Sequence, residues 1–372
     1  MTKKKIILVV GARPNFMKVA PVLKAIREHA SDRFGAMLVH TGQHYDANMS
    51  DVFFADLDMP QPDKFLGVGS GSHAEQTARV MIEMEKLFTE EKPDLVMVAG
   101  DVNSTLAAAI VAAKAGIKIA HIESGLRSFD RAMPEEINRI VADEFSDLCF
   151  VTEPSGVKNL RHEGIEESRI FFVGNTMIDS VSANIERAKA RFSELEKHYQ
   201  IEAKKYALVT LHRPSNVDEE KNLTLLVGLF EQMQSFAPKI IFPVHPRTRK
   251  KLEEFHLADR INNNSALELI DPIGYLPFLA LQSMAAVVLT DSGGIQEETT
   301  ALGVPCITLR ENTERPITIE EGTNEMAGLD ITKIIALSQN AFEGKWKPSA
   351  IPELWDGMAS ERILTVLKKF LS

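Results

Sequence analysis

The chain has 372 residues, which is more than one hydrophobic core usually organises, so we expect two domains of ordinary size. Hydrophobic residues make up 44% and charged residues 25%, the balance of a globular protein and not of a disordered or fibrous one. The net charge of -10 disfavours binding to nucleic acid or to an anionic membrane surface.

The start of the chain predicts a buried strand and not a signal peptide. The apolar run at residues 6–10 is short and passes directly into the sequence GARP, without a cleavage-site pattern. The longest apolar run, at residues 106–113, is far shorter than the roughly 18 residues that suggest a membrane span. We therefore expect a cytoplasmic protein.

Short apolar or β-branched runs alternate with longer helical patterns, which is typical of parallel βαβ units. In the first half, strands are predicted near residues 6–10, 36–40, 94–99, 117–121 and 148–151. After a charged helical stretch around residues 178–199, strands recur near residues 207–211, 240–244, 267–270, 287–290 and 306–309. The sequence therefore predicts two open α/β sheets, followed by an apolar-periodic helix at residues 360–371.

The first strand-to-helix junction reads GARPNFMK. Ligands bind beyond the carboxyl ends of strands in open α/β sheets, so Arg13 could meet a phosphate at a helix N-terminus. An exposed loop arginine is the alternative interpretation. The sequence carries neither GxGxxG nor GxxxxGK[ST], which disfavours a nicotinamide dinucleotide and a P-loop nucleotide.

Three acidic residues follow strands or begin helices in the first half. Asp101 stands in GDVNST, Glu123 in HIESGLR and Glu135 in PEEINR. If the strands are neighbours, these carboxylates form a cluster that suits proton transfer. The alternatives are that Asp101 caps a helix and that Glu135 pairs with Arg139 at the i,i+4 spacing of a helix salt bridge.

Two junctions in the second half point to a phosphate. His212 and Arg213 follow a strand in LHRPSN. The sequence TDSGGIQEE ends a strand and opens a helix, so Ser292 and Gly293 would present free backbone N–H groups to an anion. Glu298 is then placed to bind ribose hydroxyls. A tight turn that needs glycine for its backbone is the alternative interpretation.

Together these segments resemble the non-hydrolysing UDP-N-acetylglucosamine 2-epimerase family. The motifs run in family order from residue 11 to about residue 323, and DSGGIQEE, TERP and HIESGLR are the most specific. The resemblance implies an α/β fold of two Rossmann-like, doubly wound parallel-sheet domains facing across a cleft, as in glycosyltransferase-B-type proteins. It implies domains at residues 1–175 and 176–358, with residues 359–372 returning to the first, and a homodimer without metal or nicotinamide cofactor.

The resemblance also implies roles for individual positions. The implied catalytic residues are Asp101, Glu123, Glu135, Arg139, His212 and Lys18. The implied UDP-binding residues are Arg13, His212, Phe278, Ser292, Gly293, Gly294 and Glu298. Many bacterial members bind a second UDP-N-acetylglucosamine beside the active site, and the matching positions here are Gln43, His44, Glu136, Arg213 and His245.

Several positions depart from the family pattern. Asn15 stands where many members carry Glu, and Tyr45-Asp46 stands where Arg-Glu is frequent. The loop at residues 69–73 reads GSGSH and has no arginine to bind a second diphosphate. We therefore expect weak or absent activation by a second substrate molecule.

The implied reaction interconverts UDP-N-acetylglucosamine and UDP-N-acetylmannosamine by eliminating UDP to 2-acetamidoglucal and adding it back with inversion at C2. The residues leave open which carboxylate serves which face of C2. Alternatives are an epimerase of a modified UDP-sugar such as a diacetamido-uronate, a hydrolysing enzyme that releases N-acetylmannosamine, a glycosyltransferase of the same architecture and a nucleotide-sugar-binding regulator. A transferase would not need all three acids, and a pure binder would need none.

Overall fold

A computed structural model describes residues 3–43 and 61–372 of the chain, without the side chain of Arg13. His44, which the sequence assigned to a second site, lies outside these ranges. The chain forms two compact units, Met1–Ala183 with Glu353–Ser372, and Asn184–Pro352. The division after Ala183 falls later than the predicted one after residue 175. Within the described ranges, no helix is long and apolar enough to cross a membrane.

The first unit contains a parallel sheet of seven strands. In chain order they are β1 (Lys4–Val10), β2 (Phe34–His40), β3 (Lys64–Phe65), β4 (Leu95–Ala99), β5 (Lys118–Ser124), β6 (Leu148–Val151) and β7 (Ile170–Phe172). Their order in the sheet is β3-β2-β1-β4-β5-β6-β7. The helices are α1 (Arg13–His29), α2 (His73–Glu91), α3 (Asn103–Lys114), α4 (Pro134–Phe145), α5 (Pro154–His162) and α6 (Thr176–Lys189), whose last residues belong to the second unit. The central strands are almost continuously apolar because helices cover both faces of a parallel sheet.

The second unit contains a parallel sheet of six strands. They are β8 (Tyr206–Thr210), β9 (Lys239–Pro243), β10 (Leu267–Ile270), β11 (Val287–Thr290), β12 (Cys306–Thr308) and β13 (Asn324–Met326), in the order β10-β9-β8-β11-β12-β13. The helices are α7 (Phe192–Tyr199), α8 (Pro214–Val217), α9 (Glu220–Met233), α10 (Pro246–Glu254), α11 (Ala258–Asn262), α12 (Tyr275–Met284), α13 (Gly293–Leu302), α14 (Ile317–Glu320) and α15 (Ile331–Phe342).

The last helix, α16 (Ala359–Phe370), belongs to the first unit. The buried Asp179 carboxylate accepts hydrogen bonds from the backbone N–H groups of Ala359 at 3.0 Å and Ser360 at 2.7 Å. These donors lie at a helix start, where N–H groups have no partner within the helix, so the carboxylate anchors α16 to α6.

The predicted fold class of two parallel α/β sheets is confirmed. In the first sheet the chain order reverses between β1 and β4, and in the second between β8 and β11. Loops diverge at such a switch point and leave a crevice at the carboxyl ends of the strands. The motifs singled out in the sequence follow these four strands and β5.

Candidate active site

In the first unit, Asp101 lies at the carboxyl end of β4 and faces Arg139 of α4. The Arg139 guanidinium donates to Asp101 Oδ2 from Nε at 3.1 Å and from Nη2 at 2.6 Å. It also donates from Nη1 to Glu136 Oε2 at 2.5 Å. Arg139 therefore pairs with Asp101 and Glu136, whereas the sequence offered Glu135 as its helical partner. Glu135 is half-buried in the first turn of α4, and its catalytic role stays a prediction.

Glu123, at the end of β5, forms a buried ion pair with Lys18 of α1. Lys18 Nζ lies 2.6 Å from Glu123 Oε2, and the two side chains are 5% and 2% exposed. Gly100, the residue before Asp101, packs against this pair: a Cβ atom there would lie 3.0 Å from Lys18 Nζ. The structure thus brings Lys18 and Glu123 beside the turn that carries Asp101, and each of the two carboxylates has its own cation.

Asn15 joins the loops after β1 and β4. Its Oδ1 accepts from the backbone N–H groups of Gly11 at 3.2 Å and Ala12 at 3.0 Å. Its Nδ2 donates to the carbonyl of Ala99 at 2.8 Å. A glutamate, frequent here in the resembled family, has no N–H to donate to Ala99, so this contact is specific to the asparagine.

Two predicted second-site residues of the first unit are buried and bonded within it. Gln43 Oε1 accepts from the backbone N–H of Ser104 at 3.0 Å and from its hydroxyl at 2.7 Å. The Glu136 carboxylate accepts from the backbone N–H groups of Ser128 and Phe129, each at 2.9 Å. Both side chains shape loops, and their contact with a second ligand stays a prediction.

In the second unit, the N-terminus of α13 lies against a buried arginine that the sequence analysis missed. A Cβ atom on Gly293 would stand 2.4 Å from Arg315 Nη1 and 2.6 Å from Glu314 Oε1. Arg315 Nε lies 2.9 Å from Glu297 Oε1, and the Arg315 side chain is 5% exposed. A helix N-terminus beside a fixed guanidinium is suited to a phosphate group. Arg315 belongs to the TERP motif, which the sequence predicts as a family motif without a role for this arginine.

Asp291, directly before Ser292, binds the loop that carries His212. Its carboxylate accepts from the backbone N–H groups of His212 and Arg213, and from Asn216 Nδ2 at 3.1 Å. His212 Nδ1 lies 3.0 Å from Asp291 Oδ1, and the His212 side chain is 51% exposed. Burial opposes ionisation of Asp291, but the contacts with His212, Arg213 and Asn216 together lower its pKa. The Asp291 carboxylate thus fixes the Nδ1 edge of the His212 ring, and about half of the His212 side chain stays exposed to solvent.

Glu298 of α13 is buried, and burial raises its pKa to about 8. The neighbouring Glu297 acts in the same direction, while Gln282 of α12 opposes it. At neutral pH the protonated carboxyl can both donate to and accept from ribose hydroxyls. Phe278 of α12 is half-buried against the hydrophobic core of this unit, and its contact with uracil stays a prediction.

The remaining predicted second-site residues of the second unit lie after β8 and β9. Arg213 Nε donates to the backbone carbonyl of Asp291 at 3.0 Å. His245 is the N-cap residue directly before α10, and its Nδ1 accepts from the backbone N–H of Arg247 at 3.2 Å. The structure gives both residues local contacts, and their roles toward a second ligand stay predictions.

Comparison with known proteins shows the family to which the chain belongs. The chain matches the family described as UDP-N-acetylglucosamine 2-epimerase over residues 24–368. It is 43% identical over 374 residues to a Methanocaldococcus jannaschii protein named UDP-N-acetylglucosamine 2-epimerase, which covers 98% of both chains. It is 39% identical over 367 residues to a Pseudomonas aeruginosa protein named UDP-2,3-diacetamido-2,3-dideoxy-D-glucuronate 2-epimerase, which covers 98% of this chain and 99% of that one.

A solved structure is similar along almost the whole chain. The crystal structure of the M. jannaschii UDP-GlcNAc 2-epimerase in complex with UDP-GlcNAc and UDP matches with a TM-score of 0.89 at 42% identity. The match covers 98% of this chain and 99% of that one.

Proposed function

This chain belongs to the UDP-N-acetylglucosamine 2-epimerase family, and we propose that it interconverts UDP-N-acetylglucosamine and UDP-N-acetylmannosamine without net hydrolysis. The enzyme is then an isomerase that changes only the configuration at C2. The proposal rests on the family and on the residues that surround the two switch points.

The second unit would bind UDP. The N-terminus of α13 and the Arg315 guanidinium provide donors and positive charge for the diphosphate. His212, held by Asp291, would contact the phosphate oxygen that leaves C1. Glu298 would bind the ribose and Phe278 the uracil.

The first unit would move the proton at C2. Because C2 is not next to a carbonyl, simple deprotonation is unfavourable, so we propose that elimination comes first. The C1–O bond breaks and its electron pair leaves with UDP, while the C2–H electrons form the C1=C2 bond of 2-acetamidoglucal and a carboxylate takes the proton. A second carboxyl group, in its protonated form, then gives its proton to C2 from the opposite face; the C1=C2 electrons form the new C–H bond, and the UDP oxygen adds back to C1. Asp101 and Glu123 are the proposed acid–base residues, with Glu135 as the third candidate.

The observation that carries this proposal is the pair of cation-bound carboxylates at adjoining strand ends. Arg139 holds Asp101 and Lys18 holds Glu123, so both acids have fixed positions. Opposite-face proton transfer needs two such groups. A glycosyltransferase of the same fold, or a binding protein, does not.

The test is incubation of the purified protein with UDP-N-acetylglucosamine, followed by proton NMR of the anomeric signals. We expect UDP-N-acetylmannosamine to form without added metal or NAD, and Asp101→Asn to be the inactive control. Free N-acetylmannosamine as the only sugar product would identify a hydrolysing enzyme. A strict requirement for an acceptor sugar would identify a transferase.

A second candidate substrate is a UDP-2,3-diacetamido-uronate, because the Pseudomonas aeruginosa relative named for that sugar is 39% identical. Competition between the two UDP-sugars in one reaction compares their kcat/KM values directly. We further propose a homodimer, from the family resemblance, and analytical ultracentrifugation tests it.

A further inference from the structure

His121, in the middle of β5, is fully buried with both ring nitrogens next to oxygen acceptors. Nδ1 lies 2.7 Å from Asp143 Oδ1, and Nε2 lies 2.8 Å from the backbone carbonyl of Gly100. A carbonyl oxygen only accepts hydrogen bonds, so Nε2 carries a hydrogen. Nδ1 faces the Asp143 carboxylate, so both ring nitrogens are bonded inside the protein.

Asp143 of α4 is surrounded by donors, which supports the ionised form. Its Oδ2 accepts from the backbone N–H of Gly125 at 3.0 Å and lies 2.7 Å from Arg127 Nη1. Burial opposes ionisation, but His121 and Arg127 together hold the pKa of Asp143 below its ordinary value. Arg127 also pairs with Glu163, so His121, Asp143, Arg127 and Glu163 form one cluster.

Through His121 the cluster holds the turn after β4. The Gly100 backbone N–H donates to the carbonyl of Ile122 at 3.0 Å, and the Gly100 carbonyl accepts from His121. The residue is fixed to β5 from both sides, in the left-handed region at φ 62°. Asp101 follows directly, so the direction of its side chain depends on this turn.

Through Asp143 the cluster also holds the turn after β5. Glu123 has φ 73°, in a region where a residue with a long side chain is strained. The pairing of β5 with β6 shifts register between Ile122 and Ser124, which displaces Glu123 from the ladder. The bond from the Gly125 N–H to Asp143 closes this irregular turn on its far side.

We propose that His121 and Asp143 are positioning residues, a buried histidine–carboxylate pair that fixes the two strand ends carrying Asp101 and Glu123 relative to each other. The proposal rests on the proposed function of those two carboxylates in proton transfer at C2. Neither His121 nor Asp143 touches the substrate in this account. Their effect passes through Gly100 on one side and Gly125 on the other.

Two substitutions at His121 divide its contacts. Glutamine places its amide nitrogen near the position of Nε2 and can still donate to Gly100, whereas asparagine can still donate to Asp143. Each therefore keeps one bond and loses the other. We expect both His121→Gln and His121→Asn to lower kcat by roughly 10- to 100-fold, because displacement of a reacting group by about 1 Å has such an effect.

Cys149 provides the matched control. It lies directly opposite His121 on β6 and is also fully buried. The only side-chain bond between Cys149 and the pair runs from its thiol to the backbone carbonyl of Asp143 at 3.8 Å, so Cys149→Ala perturbs the same part of the core and leaves the bonds of the Asp143 carboxylate in place. It should therefore lower Tm while kcat, measured well below Tm, stays within about twofold of the native value. For the His121 variants, KM and the Kd for UDP should also stay within about twofold. A parallel fall of kcat and Tm in all three variants would overturn the proposal in favour of a structural role.

NMR of nitrogen-15 histidine-labelled native protein tests the bond to Gly100 directly. We expect one of the histidines to show an Nε2–H proton that exchanges slowly with water, because His121 is fully buried, and this signal to disappear in His121→Gln. Absence of such a signal from the native enzyme would overturn the proposal even if the enzyme is active. If the native enzyme fails to epimerise any UDP-sugar while the signal is present, the proposed function fails and the pair stands.

Discussion

The Lys18–Glu123 ion pair is the contact whose removal we expect to separate stability from catalysis most clearly. Both side chains are almost completely buried, and 2.6 Å separates Nζ from Oε2. Lys18→Met leaves the glutamate charge without its partner, and Glu123→Gln leaves the lysine charge without its partner. Breaking a buried pair in this way costs about 3–5 kcal/mol, most of it from the remaining uncompensated charge.

The double variant Lys18→Met/Glu123→Gln removes both charges and keeps similar volumes. Because replacement of a buried pair by neutral side chains is often close to neutral for stability, we expect the double variant to regain most of the loss. The double-mutant cycle formed by the native protein, the two single variants and the double variant should then give a coupling energy of several kcal/mol between Lys18 and Glu123. An exposed pair of similar length, Lys86–Glu83 at 2.7 Å with side chains 66% and 37% exposed, is the control. Its cycle should give about 0.5 kcal/mol or less.

Urea unfolding followed by far-UV circular dichroism measures the free energies, and NMR of UDP-N-acetylglucosamine turnover measures activity. All variants that lack Glu123 should lose roughly 100-fold or more in kcat, including the stable double variant, because the acid–base group is absent. A coupling energy no larger than that of Lys86–Glu83 would refute the reasoning about burial. Native turnover in Glu123→Gln would refute the catalytic role.

Three further outcomes follow from the second unit and from the loops. Since the pKa of Glu298 is about 8 in the folded protein against an ordinary 4.5, its own contribution to stability should be complete below pH 4.5 and be lost as the pH rises to 8. The difference between native protein and Glu298→Gln in urea unfolding should therefore change by about 1.36 kcal/mol per pH unit between these values. Gly293→Ala would place a methyl group 2.4 Å from Arg315 Nη1, so the affinity for UDP, measured by calorimetry, should fall roughly 10-fold or more. The control is Gly228→Ala, where the nearest atom is 3.6 Å from the new methyl group, and this variant should bind UDP with native affinity. Gln43, a predicted second-site residue, is bonded to Ser104 within its own unit, so we expect weak or absent activation by a second substrate molecule. Initial rates should then depend hyperbolically on UDP-N-acetylglucosamine concentration, and a sigmoidal curve would show that a second site is intact.

The long central strands and their polar ends could be predicted because their signals are local. A run such as that of β1 is apolar because both faces of the strand are covered, and the turn after it must be polar or small. Three of the four edge strands, β3, β7 and β13, were missed; they have only two or three residues, whereas the predicted edge strand β10 has four. The helical stretch predicted over residues 178–199 is two helices, which end and begin around Arg191.

The sequence by itself determined which strand ends carry acids and which carry a glycine-rich helix start, since each motif is written in consecutive residues. Only the tertiary structure decided the charge partners: Arg139 reaches Asp101 from 38 positions away, and Arg315 reaches the start of α13 from a separate loop. His121 and Asp143 belong to the same class, because an isolated histidine in a strand carries no sign of what faces it. Ion pairs and shared acceptors are set by the three-dimensional order of strands and helices, and a linear pattern does not encode that order.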